Sequence, residues 1–142
     1  MTAISLEAAQ RIIEVALKKG QSLALKPLSV VVLDAGGHVK AFAREDGASP
    51  GRFKIAHGKA YGAVMMGMGG QAQMDRAESQ AYFILAANGA FDGAMIPVPG
   101  GVLVKGADGA VLGAVGVTGD ASDNDEICAV AGIEAAGLTT QP

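Results

Sequence analysis

The chain is poor in aromatic rings and has almost no sulfur chemistry. Its 142 residues include no Trp, two Tyr, four Phe and a single cysteine, Cys128. One cysteine excludes an internal disulfide and any zinc site built on paired thiolates. Cys128 lies in Ile127-Cys128-Ala129-Val130, within an expected helix, and reads as a small core residue rather than a nucleophile. So few rings argue against a large exposed stacking surface. The 11 Lys and Arg form no cluster and are outnumbered by 14 acids, for a net charge of −3, so nucleic acid is not an expected partner. No stretch reaches the roughly 18 uninterrupted apolar residues of a membrane span. The N-terminus has no basic-then-apolar leader, which makes the cytoplasm the expected compartment and leaves no membrane partner.

What is present suits one well-packed α+β domain over residues 1–142. Hydrophobic residues make up 50% of the chain and charged ones 18%, and the aliphatics are spread along it. Ser5 can cap a helix over about 6–19, with Leu6, Ala9, Ile13, Ala16 and Leu17 on one face and Gly20 as its stop. Residues 28–34 and 39–44 read as strands around the turn Ala35-Gly36-Gly37-His38. Residues 45–51 are rich in turn formers. They lead into a helix over 52–66 that buries Phe53, Ile55, Ala56, Ala60, Ala63 and Val64 and turns Arg52, Lys54 and Gly58 outward. Further helices are expected over about 73–87 and 124–136. Asp123 and Glu126 have the spacing of a capping box at the start of the last one.

Residues 97–119 form the most distinctive stretch: two strands around Ala107-Asp108-Gly109, entered through Pro99-Gly100-Gly101 and left through Thr118-Gly119. Turns account for most of its glycines. Gly113 and Gly116 lie within a strand, where glycine marks the close approach of a ligand or of another backbone, such as a tightly packed helix. The order helix, hairpin, helix, helix, hairpin, helix predicts a largely antiparallel sheet flanked by helices. Gly67-Met68-Gly69-Gly70-Gln71-Ala72 matches a dinucleotide fingerprint but follows a helix, where the fingerprint needs a strand. The acidic run 120–126 lacks the glycine and spacing of a calcium loop, and no metal site is assigned.

Five motifs in order, Val-Val-Leu-Asp-Ala-Gly-Gly-His at 31–38, Phe-Ala-Arg-Glu-Asp-Gly-Ala at 42–48, Ile-Ala-His-Gly-Lys-Ala-Tyr-Gly-Ala at 55–63, Pro-Gly-Gly-Val-Leu-Val at 99–104, and Gly-Ala-Val-Gly-Val-Thr-Gly at 113–119 followed by Asp125-Glu126, resemble the GlcG/HbpS-like family. That family includes the C-terminal domain of PduO corrinoid adenosyltransferases. The resemblance implies a profilin-like α+β fold, assembly into dimers up to octamers, and haem or a related tetrapyrrole as a ligand. Haem needs an axial ligand. His57 and His38 are the two imidazoles, with Tyr61, the methionines and Cys128 as the other donors.

A second reading is a catabolic isomerase, hydratase or deaminase acting on a small carboxylate. Arg44, Asp46 and Lys59 could meet over the 45–51 loop, either as a ligand site or as a structural salt bridge of Asp46 with Arg44 or Lys59. Lys59, His57 and Asp46 would then move protons. Gly100, Gly101 and Gly119 would offer backbone N–H groups, Thr118 a hydroxyl, and Arg44 and Tyr61 further contacts. A third reading is a non-catalytic accessory or structural oligomer.

Overall fold

The computed structural model describes residues 2–142. Helix α1 spans Leu6–Ser22, and Ser5 caps it, its Oγ accepting the Ala8 N–H at 3.0 Å. Gly20 is not the stop: the helix runs two residues further, and Gly20 is bare because a Cβ there would lie 2.5 Å from Leu28 Cδ1. Strands β1 (Ser29–Asp34) and β2 (Val39–Arg44) form the expected hairpin. Its turn is held by Asp34 Oδ1, which accepts from the Gly36 and His38 N–H groups, while Gly37 adopts φ +85°.

Helix α2 (Arg52–Met66) has the predicted bounds and ends at Gly67 in the left-handed conformation. The single helix expected over 73–87 is two helices, α3 (Gly70–Ser79) and α4 (Ala81–Ala90), broken at Gln80 with φ −140° and ψ 59°. Neither glycine nor proline marks this break. Arg76 secures it, donating through Nε to Gln80 Oε1 and lying 4.2 Å from the centre of the Phe83 ring.

Strands β3 (Gly101–Lys105) and β4 (Val111–Thr118) come next, then α5 (Ser122–Ala135) and a short strand β5 (Thr139–Gln141) that the residue pattern did not announce. The sheet order is β2-β1-β4-β3-β5, antiparallel throughout. Strand parity explains why β1 is continuously hydrophobic. Val30 and Val32 face α1 and α5 together with Val102, Val104, Val115 and Val117, while Val31 and Leu33 face α2 with Leu103 and Ala114. Both faces of the sheet are covered.

Helix α2 lies close on its face because both surfaces are small. Ala56 and Ala60 meet Gly116, and the α2 backbone at Lys59 meets Gly101. A Cβ at Gly116 would lie 2.0 Å from the Ala56 carbonyl oxygen, and one at Gly101 2.3 Å from that of Lys59. Gly113 has a different reason: its neighbour is the Leu33 carbonyl on the adjacent strand, 2.0 Å from where a Cβ would stand.

The capping box at α5 does not form. The N-cap is Ala121, and Asp123 lies already within the first turn. Asp125 instead turns inward, its Oδ1 accepting the Asp120 N–H at 3.0 Å. Asp120 accepts the Lys26 N–H and the Asn124 side chain, which hold its carboxyl down at about 2. Cys128 is fully buried, and burial raises its thiol to about 11, which leaves it inert.

Candidate functional site

Three residues of α2 separated by four, Phe53, His57 and Tyr61, form a stripe along one side of the helix. Phe42 from β2 closes one end, edge-on to Phe53 at 4.8 Å between ring centres. His57 lies between Phe53, at 5.8 Å, and Tyr61, stacked at 5.5 Å with 20° between planes. Phe91 meets Tyr61 edge-on at 6.3 Å. The sequence has few rings, and five of its aromatic or imidazole rings are gathered here.

Beside the stripe the segment after α4 folds back onto α2. Gly58 allows this: it is buried, not outward as expected, and a Cβ there would lie 2.6 Å from the Ala94 carbonyl oxygen and 2.5 Å from Ile96 Cγ1. The Ile96 N–H donates to the Gly58 carbonyl at 3.1 Å, and Asn88 clamps the Met95 backbone through both its amide atoms. Asp92 and Gly93 take positive φ in the bend. Between this bend and the first turns of α2 lies a cavity of about 400 Å³, walled by Phe53, Ile55, Ala94 and Ile96, with Lys54 and His57 as its ionisable groups. Burial holds the His57 imidazole below its ordinary value of 6.5, so its neutral form is favoured.

The charges expected to meet over the 45–51 loop do not. Arg44 is exposed and donates to the Ala48 carbonyl at 3.3 Å, and Asp46 is exposed with no side-chain partner among the described residues. Lys59 lies two turns into α2 and points down past the end of β4. There Nζ donates to the Val117 carbonyl at 3.0 Å and to Asp125 Oδ2 at 3.1 Å. The salt bridge is therefore Lys59 with Asp125, both almost fully buried, and not one of Asp46. Burial pushes Lys59 down and Asp125 up, and their mutual attraction opposes both shifts.

Gly100 and Gly101 face Lys59 and the α2 backbone, and Gly119 faces the backbone of Pro27 and Leu28, so these glycines serve chain-to-chain packing. Thr118 is buried and its Oγ1 accepts from Arg52 Nη1 at 2.8 Å. Tyr61 stacks on His57. His38 stands exposed at the hairpin tip, Nδ1 3.2 Å from Asp34 Oδ1, 81% of its side chain in solvent. Among the described residues no group of three His, Cys, Asp or Glu is placed to hold a metal ion. None of the described helices is long and apolar enough to cross a membrane.

Sequence reasoning read Arg52 and Lys54 only as outward-facing and Asp125 only as part of a family motif with Glu126, and it did not name Ile96. The spacing of Phe53, His57 and Tyr61 was the available signal for the stripe. Nothing local could have paired Asp125 with a lysine 66 residues away.

A five-stranded antiparallel sheet between two helical layers, with a half-buried imidazole beside an apolar cavity, is an α+β domain with a space of small-molecule size. The chain belongs to the family described as haem degrading protein, HbpS-like, whose pattern matches residues 4–134. It is similar to the crystal structure of a double mutant of HbpS from Streptomyces reticuli, with 28% identity, 94% of this chain and 87% of that one covered, and a TM-score of 0.79. The heme complex of PduOC shares the fold at 23% identity, covering 99% of both chains with a TM-score of 0.87. Protein ORFY of Klebsiella pneumoniae does so at 23% identity, covering 96% of this chain and 92% of that one with a TM-score of 0.85. No curated protein matches the sequence.

Proposed function

We propose that the chain binds haem or a related tetrapyrrole in the cavity beside α2, with His57 as the axial donor. The observation that carries this reading is a half-buried imidazole, kept neutral by burial, at the wall of an apolar cavity of about 400 Å³. Phe53, Ile55 and Ile96 suit the faces of a macrocycle, and Lys54 suits an acidic substituent at its edge. The family description names haem, and one relative of the same fold is a heme complex. When bound, haem supplies a redox-active iron, and the chain supplies the donor, the apolar walls and the exclusion of water. The catalytic reading has no such support, because Lys59, His57 and Asp46 do not converge.

A haemin titration read by its Soret absorbance tests this. Wild type and His38→Ala are expected to show a saturable one-site shift, and His57→Ala to lose it. An unchanged titration in His57→Ala would reject His57 as the donor. Because burial lowers the His57 value, the neutral donor persists below pH 6.5, and affinity is expected to hold there and fall only as pH drops through the lowered value.

We also infer self-association through α4. Its ten residues carry no charge, and Tyr82 and Leu85 are 71% and 73% exposed, although a helix apolar all round is normally buried. Sedimentation velocity is expected to show an oligomer for wild type and a smaller species for Leu85→Glu. A wild-type monomer, or an oligomer indifferent to that change, would reject the interface.

A further inference from the structure

Helix α2 begins without a side-chain cap or an acid in its first turn, tied only by backbone bonds from Arg52 to the Ser49 carbonyl and from Lys54 to that of Gly51. Gly51 at the N-cap offers no side chain to the first N–H groups, and the first turn holds no acid. Instead Arg52 and Lys54 stand at the positive end of the helix dipole, where cations are unfavourable. Among the described residues neither has a carboxylate at ion-pair distance. Gly51 is not required by its backbone: φ is −70° and a Cβ would meet nothing within 4 Å. The space in front of the first turn is open.

A second observation lies under this turn. Arg52 Nη1 bonds Thr118 Oγ1, and Thr118 is the register partner of Ser29 on the neighbouring strand, so both hydroxyls share the sheet face that α2 covers. Ser29 is fully buried, and its Oγ has no hydrogen-bond partner among the described residues. A buried hydroxyl without a partner beneath a cation that no carboxylate compensates is a donor set lacking its acceptor.

We propose that the α2 N-terminus is a binding site for an oxyanion, the carboxylate or phosphate of a small molecule. Arg52 supplies the planar fork, held in orientation by Thr118, Ser29 supplies the inner hydroxyl, and the positive end of the helix dipole adds to their attraction, while the Arg52 and Lys54 N–H groups stay on the Ser49 and Gly51 carbonyls. Arg44, on the strand that leads to this loop, adds positive charge. The site uses neither Lys59 nor Asp46, and it stands whether or not haem binds at His57.

Calorimetric titration with sodium malonate and, separately, inorganic phosphate at constant ionic strength tests the site. One or both probes are expected to bind saturably, and which one does so distinguishes carboxylate from phosphate. Arg52→Gln should weaken binding about tenfold or more, the loss expected for a charge-assisted contact. Thr118→Val should weaken it by a smaller factor. Lys18→Gln, which removes one positive charge from α1 on the opposite face of the sheet, should leave it unchanged. Gly51→Asp guards against simple misfolding: it places an acid at the helix start, so Tm should hold or rise while anion binding is lost. Absence of saturation by both probes in wild type would overturn the proposal. So would binding indifferent to Arg52→Gln and Gly51→Asp, or reduced equally by Lys18→Gln.

Discussion

Replacing Lys59 with methionine is expected to lower the unfolding free energy by about 3–5 kcal/mol in urea denaturation at pH 7, the loss typical of breaking a buried pair from one side. Methionine fills similar space, so the loss comes from charge. Asp125 would be left without its counter-charge and 1% exposed, keeping only the Asp120 N–H as a partner. The Val117 carbonyl would also lose its lysine donor.

The double variant Lys59→Met with Asp125→Leu should recover most of the loss, since two apolar groups can replace a buried pair at little net cost. The pH dependence has a defined sign. Burial already holds the Asp125 carboxyl above its ordinary 3.8, and loss of Lys59 raises it further. The folded variant then binds a proton more tightly than the unfolded chain, so its deficit should shrink as pH falls from that raised value towards 3.8. A loss below about 1 kcal/mol for Lys59→Met, the size of an exposed pair, would show that the pair is solvated.

Gly116→Ala should cost about 3 kcal/mol, the upper end of ordinary overpacking, because the added atom meets backbone and not a flexible side chain. A Cβ there would stand 2.0 Å from the Ala56 carbonyl oxygen and 3.1 Å from the Ala60 Cβ. Only a shift of α2 as a whole could relieve that contact, and α2 also rests on Gly101 and on the 94–96 segment at Gly58. The same substitution at Gly89 in α4, where a Cβ meets nothing within 4 Å, should stabilise by about 0.5 kcal/mol through helix propensity. Denaturant midpoints of the two variants should therefore move in opposite directions. If Gly116→Ala were neutral, the close seating of α2 on the sheet would be wrong.

These two cases separate what local sequence carries from what it cannot. Ser5 before an amphipathic run, Gly37 in the first hairpin and the bounds of α2 were legible because capping, turn geometry and side-chain period act within a few residues. The stripe Phe53, His57, Tyr61 had a local signal in its spacing of four, but the residue pattern placed Phe53 in the core and did not gather the three, and the structure leaves Phe53 exposed. The break at Gln80 was not legible, because it rests on the long side chain of Arg76 reaching both Gln80 and Phe83. Strand β5 was not legible either: it has three residues and exists through its pairing with the β3 edge.

By itself, then, the amino-acid order determined an α+β chain with an antiparallel sheet, and its five motifs placed it in its family. Tertiary structure alone decided what the shared residue types do. Of two glycines within one strand, Gly116 admits a helix and Gly113 a neighbouring strand. Of the cations near α2, Lys59 is spent inside the core on Asp125, and Arg52 is left at an open helix end. The reason is that local propensity is summed over neighbours in sequence, whereas a buried charge is settled by whichever group the folded chain brings within about 3 Å, the hydrogen-bonding distance.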